Sequence, residues 1–267
     1  MAMRFCILGS GSSGNAALLV TENARILVDA GFSARKLNAL LAAVGESLDR
    51  IDAVFLTHEH GDHSGGIESL KKFPHLRLFA NAATARAVQA GLDYRPDWQL
   101  FETGATIRFR DLEIATFAVP HDAQDPVGFR FATGRDGDLF APRHSLAWLT
   151  DLGHAPQNVR EAMRACEVVV VEANHCSELL KADPRRPWPL KQRIRGRHGH
   201  LSNEATRELL ADVASPQWRH VYLTHLSREC NTRAAVETAF APLRTQLASC
   251  EFSVVEHGQT TPFYEFV

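Results

Sequence analysis

Cysteine is scarce and dispersed in this chain. Cys6, Cys166, Cys176, Cys230 and Cys250 are spread over 267 residues without a C-x-x-C pair. An odd, scattered set excludes a disulfide framework and reads as reduced thiols in a cytoplasmic protein. Long apolar runs are missing as well: none approaches the roughly 20 residues that span a bilayer, so no membrane partner is expected. The start of the chain, Met1-Ala2-Met3-Arg4 before a strand-like Phe5-Cys6-Ile7-Leu8, lacks the layout of a signal peptide. Neither charge sign dominates, since 29 Lys and Arg face 31 Asp and Glu for a net charge of −2. That balance argues against a generally basic, nucleic-acid-coating protein and leaves room for a local basic patch.

There is also no internal repeat and no long linker. With 45% hydrophobic residues, the chain can bury a substantial core, and we read residues 1–267 as one αβ domain. Short apolar runs predict strands over 4–8, 16–21, 25–29, 53–57, 77–80, 106–109, 113–119, 128–133, 145–150, 168–172 and 219–224. Helical spacing predicts helices over 34–44, 67–73, 82–90, 157–165, 203–213 and 232–240.

What the chain does have is concentrated in Thr57-His58-Glu59-His60-Gly61-Asp62-His63. Three imidazoles and two carboxylates follow directly on the apolar run Ala53-Val54-Phe55-Leu56. On an extended backbone His58 and His60 share a face while Glu59 points off it. Gly61 then permits a turn that brings Asp62 and His63 round to a second centre. Histidine nitrogen and carboxylate oxygen suit zinc and its first-row neighbours. Further candidates stand at the ends of other predicted strands: His121, Asp151 and His225.

The pattern His-x-His-x-Asp-His resembles the signature of the metallo-β-lactamase fold superfamily of metal-dependent hydrolases. The resemblance implies an αββα sandwich, two mixed sheets face to face with helices outside and ligand loops along one edge. It assigns His58, His60 and His121 to one metal, Asp62, His63 and His225 to the other, and Asp151 as the bridge, a carboxylate being able to hold two cations about 3.5–4 Å apart. Asp29 matches the superfamily's early aspartate and is expected to orient the ligand loop from behind. A histidine at position 60, where iron-binding redox members carry a carboxylate, favours hydrolysis. The implied cofactors are two divalent ions, zinc or manganese.

Three more segments narrow the resemblance. Leu8-Gly9-Ser10-Gly11-Ser12-Ser13-Gly14-Asn15 is a glycine- and serine-rich turn whose converging N–H groups suit an anion. Gly199-His200-Leu201-Ser202-Asn203-Glu204 reads as a helix start with Ser202 or Asn203 as its cap. Thr224-His225-Leu226-Ser227-Arg228-Glu229-Cys230-Asn231 surrounds the last candidate ligand. With His121-Asp122-Ala123, Thr150-Asp151-Leu152-Gly153 and Glu172-Ala173-Asn174-His175, the chain resembles the WalJ/YycJ (VicX) group of bacterial exonucleases nearly end to end. Where that group usually has an acidic residue after Asn-His, this chain has Cys176.

The resemblance implies a two-metal phosphodiesterase, a nuclease acting on DNA through a metal-bridging hydroxide, with Asp62, Glu172 and His200 as catalytic residues. By similarity to transfer-RNA 3′-processing endonucleases and ribonuclease J, Glu172 orients His200, which assists the leaving oxygen. Ser12, Ser13, Asn15, Ser202, Ser227 and Asn231 are expected at the substrate. So are Arg193, Arg195 and Arg197, which belong to the basic segment 181–198, where four interruptions, Pro184, Pro187, Trp188 and Pro189, argue against a helix. Arginine pairs bidentately with phosphate, so a nucleic-acid backbone is the partner this segment fits. The alternatives are a small-molecule hydrolase of the same fold, acting on a cyclic phosphodiester or a thioester, and a regulatory member without activity. A thioesterase has no need of the basic segment.

Overall fold

The computed structural model describes residues 3–134 and 143–267. In chain order the strands are β1 (Arg4–Gly9), β2 (Ala16–Val20), β3 (Arg25–Val28), β4 (Ala53–Phe55), β5 (Arg77–Asn81), β6 (Asp97–Phe101) and β7 (Thr106–Phe109). They continue with β8 (Leu112–Ala118), β9 (Val127–Ala132), β10 (Ser145–Leu149), β11 (Val168–Glu172), β12 (His220–Thr224), β13 (Glu251–Val254) and β14 (Tyr264–Glu265). The α-helices are α1 (Ala34–Ala43), α2 (Gly61–Ser64), α3 (Ala82–Gln89), α4 (Gln157–Arg164), α5 (Ser177–Ala182), α6 (Trp188–Arg195), α7 (Asn203–Val213) and α8 (Arg233–Gln246). Among the described residues the strands form two seven-stranded sheets, β14-β1-β2-β3-β4-β5-β6 and β13-β12-β11-β10-β9-β8-β7.

Apolar residues on both faces of the strands produce four layers. Phe5, Ile26 and Phe55 from the first sheet meet Phe129, Phe131 and Trp148 from the second in an inner core. The outer face of the first sheet packs on α1 and α3 through Leu37, Leu41 and Val88. The outer face of the second packs on α4, α7 and α8 through Val159, Leu210 and Phe240. This is the expected αββα sandwich. A strand covered on both sides has no need of polar alternation, which is why Val168-Val169-Val170-Val171 is apolar throughout and fully buried.

Phe55 sits at the centre of the inner core. Its ring stacks on Phe79 at 4.3 Å and meets Phe109, Phe129 and Phe131 edge-on at 5.9, 6.1 and 6.3 Å. Burying such a ring contributes about 1.5–3 kcal/mol and fixes the strand that leads into His58.

Strands β3 to β6 run parallel, as do β10 to β13. β8 shares the sense of β10 because each pairs antiparallel with β9. The residues that follow the carboxyl ends of β3, β4, β8, β10 and β12 therefore collect along one edge, where open α/β sheets bind ligands.

Three strands and several short helices depart from the expected pattern. β6, β13 and β14 all lie at sheet edges, where a strand is covered incompletely and carries no apolar run: β6 reads Asp-Trp-Gln-Leu-Phe. The segment 67–73 forms a 3₁₀ helix over Ile67–Lys72. The expectation of no helix in 181–198 is corrected by α6. Pro187 is its N-cap and Pro189 lies in its first turn, where the missing N–H has no intrahelical partner to lose. Among the described residues no helix is long and apolar enough to cross a membrane.

Candidate metal centre

Strand β4 ends at Phe55, and the next residues are fastened before any ligand is reached. Asp29 accepts from Thr57 N at 2.8 Å and lies 3.0 Å from Thr57 Oγ1. The carboxylate is fully buried, and its Oδ2 stands 2.8 Å from His63 Nδ1. A carboxylate there accepts the Nδ1–H hydrogen bond and turns His63 Nε2 the other way. His60 caps α2, its carbonyl accepting from His63 N and Ser64 N at 2.9 Å. The tight turn expected at Gly61 is thus one turn of helix. Glu59 points away and accepts from Gln124 N at 2.9 Å, tying this loop to the one that carries His121.

Ligand atoms of His58, His60 and His121 lie within 4.8 Å of one another, and so do those of Asp62, His63 and His225. Asp151 stands between the two groups. One oxygen is 3.0 Å from His63 Nε2, the other 3.5 Å from His225 Nε2 and 3.9 Å from His121 Nε2. His58 Nε2 is buried without a hydrogen-bond partner, beside the His60 and His121 rings at 4.7 and 5.2 Å. A buried imidazole nitrogen that faces other imidazoles and receives no donor is completed by a cation. The donor set fits divalent metal ions.

Electrostatics agree. Burial pulls His225 down, but Asp151, Asp62 and Glu172 outweigh it and raise the imidazole to about 10. Burial likewise opposes His63, which Asp151 and Asp29 lift well above its ordinary value. Without a cation, these carboxylates hold protons on the imidazoles that face them. Metal ions replace those protons.

Asp29, Asp151 and His225 have φ of 62°, 60° and 53°. Each lies at or just past a strand end, and the left-handed backbone turns its side chain into the shared edge. Aspartate and histidine are among the side chains that tolerate this region best. Such strained backbone clusters at functional sites.

Behind Asp151 and His225 lies Glu172, the last residue of β11 and fully buried. Its Oε1 accepts from Leu152 N at 3.1 Å and Leu201 N at 2.8 Å. Oε2 accepts from Asp151 N at 3.3 Å and lies 3.0 Å from His200 Nδ1. Burial would raise this carboxyl, yet the His200 charge and hydrogen bond hold it at about 2. His200 is raised in turn: burial lowers it, and Glu172 more than compensates. Asp151, Glu172, His200 and His225 could themselves surround a cation, but both Glu172 oxygens are already engaged by backbone donors.

A cavity of about 260 Å³ opens over these groups, lined by Ser12, His60, Asp62, His121, Asp151, Arg193, His200, Ser227 and others. Ser12, Ser227 and Arg193 therefore lie where substrate contact was expected. The other six do not: Arg195 and Arg197 are absent from the lining, and four more residues are placed elsewhere. Asn15 is fully buried and spends its amide on Gly11 O, Asp62 and His63; it braces the ligand loop. Asn231 is buried and holds the backbone at Ala173 and Asn174. Ser202 is the N-cap of α7, accepting from Ala205 N at 3.1 Å. Ser13 faces a separate cavity.

The basic segment is partly spent on internal pairs. Arg186 binds Asp183 and Glu229; Arg193 contacts Asp122; buried Lys191 donates to Lys181 O at 2.7 Å. Arg197 is exposed and stands 3.0 Å from His154 Nε2. Arg195 is exposed at the end of α6, and Trp188 is 58% exposed at its start. All five cysteines are free, Cys176 among them partly exposed.

Sequence reasoning missed Asp122, Leu190 and Ile194, which line the cavity. The last two are hidden by the prolines that obscured α6, though Leu190 and Ile194 are spaced as one helical face.

Comparison with known proteins gives consistent matches. A profile of the Beta-lactamase superfamily domain matches residues 24–226. Exodeoxyribonuclease WalJ of Streptococcus pneumoniae is 34% identical over 258 residues, which is 95% of this chain and 91% of that protein. Exodeoxyribonuclease YycJ of Bacillus anthracis is 32% identical over 235 residues, 87% of this chain and 86% of its own. Among solved structures, the metallo-β-lactamase fold protein YhfI of Bacillus subtilis superposes with a TM-score of 0.70 at 16% identity, over 99% of each chain.

Proposed function

This chain belongs to the β-lactamase superfamily, in the family of the exodeoxyribonucleases WalJ and YycJ, and from that premise we propose that it is a two-metal exonuclease acting on DNA. The observation that carries the reading is the paired ligand groups with Asp151 between them and the Glu172–His200 pair beside them. His58, His60 and His121 would hold one divalent ion, zinc or manganese. Asp62, His63 and His225 would hold the other, and Asp151 both. When bound, such ions lower the pKa of a water and neutralise phosphoryl charge.

The chain's own groups do the rest. Asp29 fixes the orientation of His63, and Asn15 braces the loop that carries Asp62. Glu172 accepts a hydrogen bond from Nδ1–H of His200, which leaves Nε2–H to give its proton to the departing oxygen. Glu172 raises His200 above its ordinary value against the effect of burial, which favours the imidazole that carries this proton. Arg193, Arg195 and Arg197, on and just after α6, would meet the phosphate backbone as it enters. DNA as substrate fits a cytoplasmic enzyme with reduced thiols.

The test is digestion of end-labelled single- and double-stranded DNA and RNA by metal-loaded protein, beside an activated small phosphodiester. Release of mononucleotides from DNA ends, abolished in Asp151→Ala, is the expected result. Turnover of the small diester with every oligonucleotide intact would move the reading to a small-substrate phosphodiesterase.

A further inference from the structure

A second cavity, of about 250 Å³, lies on the other side of the glycine-rich turn. Ser12 lines the metal cavity and Ser13 this one; Ser227 lines the first and Arg228 the second. Ser10, which also lines the second, accepts from His225 N at 2.8 Å through its hydroxyl. The two cavities thus flank the same two loop segments.

The lining points to an anion attached to an apolar group. Lys36 from α1 and Arg228 from the loop after β12 are exposed at its rim, and neither makes an ion pair or side-chain hydrogen bond among the described residues. The arginines of the basic segment mostly have carboxylate partners; these two cations do not. The backbone N–H of Ser13 also has no acceptor among the described residues. Beneath them the floor is Phe32 and Leu40. The turn rests on that ring so closely that a Cβ on Gly14, at φ 146°, would come within 2.4 Å of it.

We propose that this cavity is a phosphate subsite for the strand that reaches the metals. It takes the nucleotide next to the one under attack: phosphate on Lys36, Arg228 and the Ser13 N–H, base against Phe32 and Leu40. Two free cations and a free N–H donor suit a phosphate, and an aromatic floor suits a base of any sequence. The proposal rests on the nuclease reading only for the source of the phosphate.

The double variant Lys36→Ala/Arg228→Ala tests it. In metal-loaded protein the KM for an oligodeoxynucleotide should rise about tenfold. The slope of log affinity against log salt should flatten by about 0.7 for each lost phosphate contact. Turnover of an activated small phosphodiester, which needs only the metals, should match the wild type. Deoxythymidine 5′-monophosphate titrated into the loaded wild type should show two sites, and one in the variant.

Unchanged oligonucleotide KM and salt slope overturn the proposal. Loss of the mononucleotide site with unchanged oligonucleotide kinetics also overturns it, since the cavity would then serve a free nucleotide. If the wild type cuts no oligonucleotide, yet oligonucleotide affinity falls and its salt slope flattens in the variant, the phosphate subsite stands and the nuclease reading falls.

Discussion

Glu172 grips His200 from behind, with Oε2 3.0 Å from Nδ1, while its other oxygen takes Leu201 N at 2.8 Å. One buried carboxylate therefore fixes both the imidazole and the backbone that carries it, and it reaches Asp151 N as well.

The pair should fail as a unit. His200→Ala should retain both metals and lose about 10²–10⁴-fold in kcat, the range of a lost acid–base group. Glu172→Ala should lose as much activity and some metal too, since the turn at Asp151 loses its acceptor. The double variant should be scarcely slower than the worse single one. Elemental analysis beside kinetics checks this, and additive losses would break the pairing.

Asp29→Asn tests orientation of a ligand without touching a metal. Asparagine tolerates the left-handed backbone at this position, so the fold should survive. Its amide no longer offers two acceptor oxygens to Thr57 and His63. Metal affinity should drop by about 10–100-fold, read by chelator competition. Wild-type affinity would show that His63 needs no such partner.

Metal loading should release protons. In the metal-free protein His225 titrates at about 10, so its imidazole is protonated near pH 8 and must lose that proton to bind; His63, also raised, adds to the release. Between about one and two protons per chain should appear in the buffer, and the release should fade as pH rises through the raised values. Titration calorimetry in buffers of different ionisation enthalpy measures it; a buffer-independent heat excludes it.

Phe55→Ala should destabilise the fold by about 3–5 kcal/mol and weaken metal binding, because the ring anchors the strand that leads into His58. Denaturant unfolding in the presence of chelator separates the two effects. A loss below about 1 kcal/mol would mean that the aromatic cluster repacks freely.

Much of this was legible in the chain because buried strands advertise themselves. β11 coincides with the apolar run over 168–172 and β10 fills most of the run over 145–150, and the ligand candidates follow such strands. The edge strands β13 and β14 do not advertise themselves: they are short, partly exposed and polar in places. Helix α6 was hidden by prolines that start a helix as readily as they stop one. The substrate face was the least legible part. A serine or asparagine in a turn looks the same whether it faces solvent, like Ser12, or is buried as a brace, like Asn15.

The left-handed residues Asp29, Asp151 and His225 have a bearing on transplantation. A designer who copies only the seven ligand types onto another pair of sheets would inherit the chemistry without the turns that aim it. Glutamate in place of Asp151 keeps the charge but lengthens the reach and fits the left-handed backbone poorly, so a like-for-like exchange of carboxylates is blocked by the main chain. The portable unit is the ligand together with its bend.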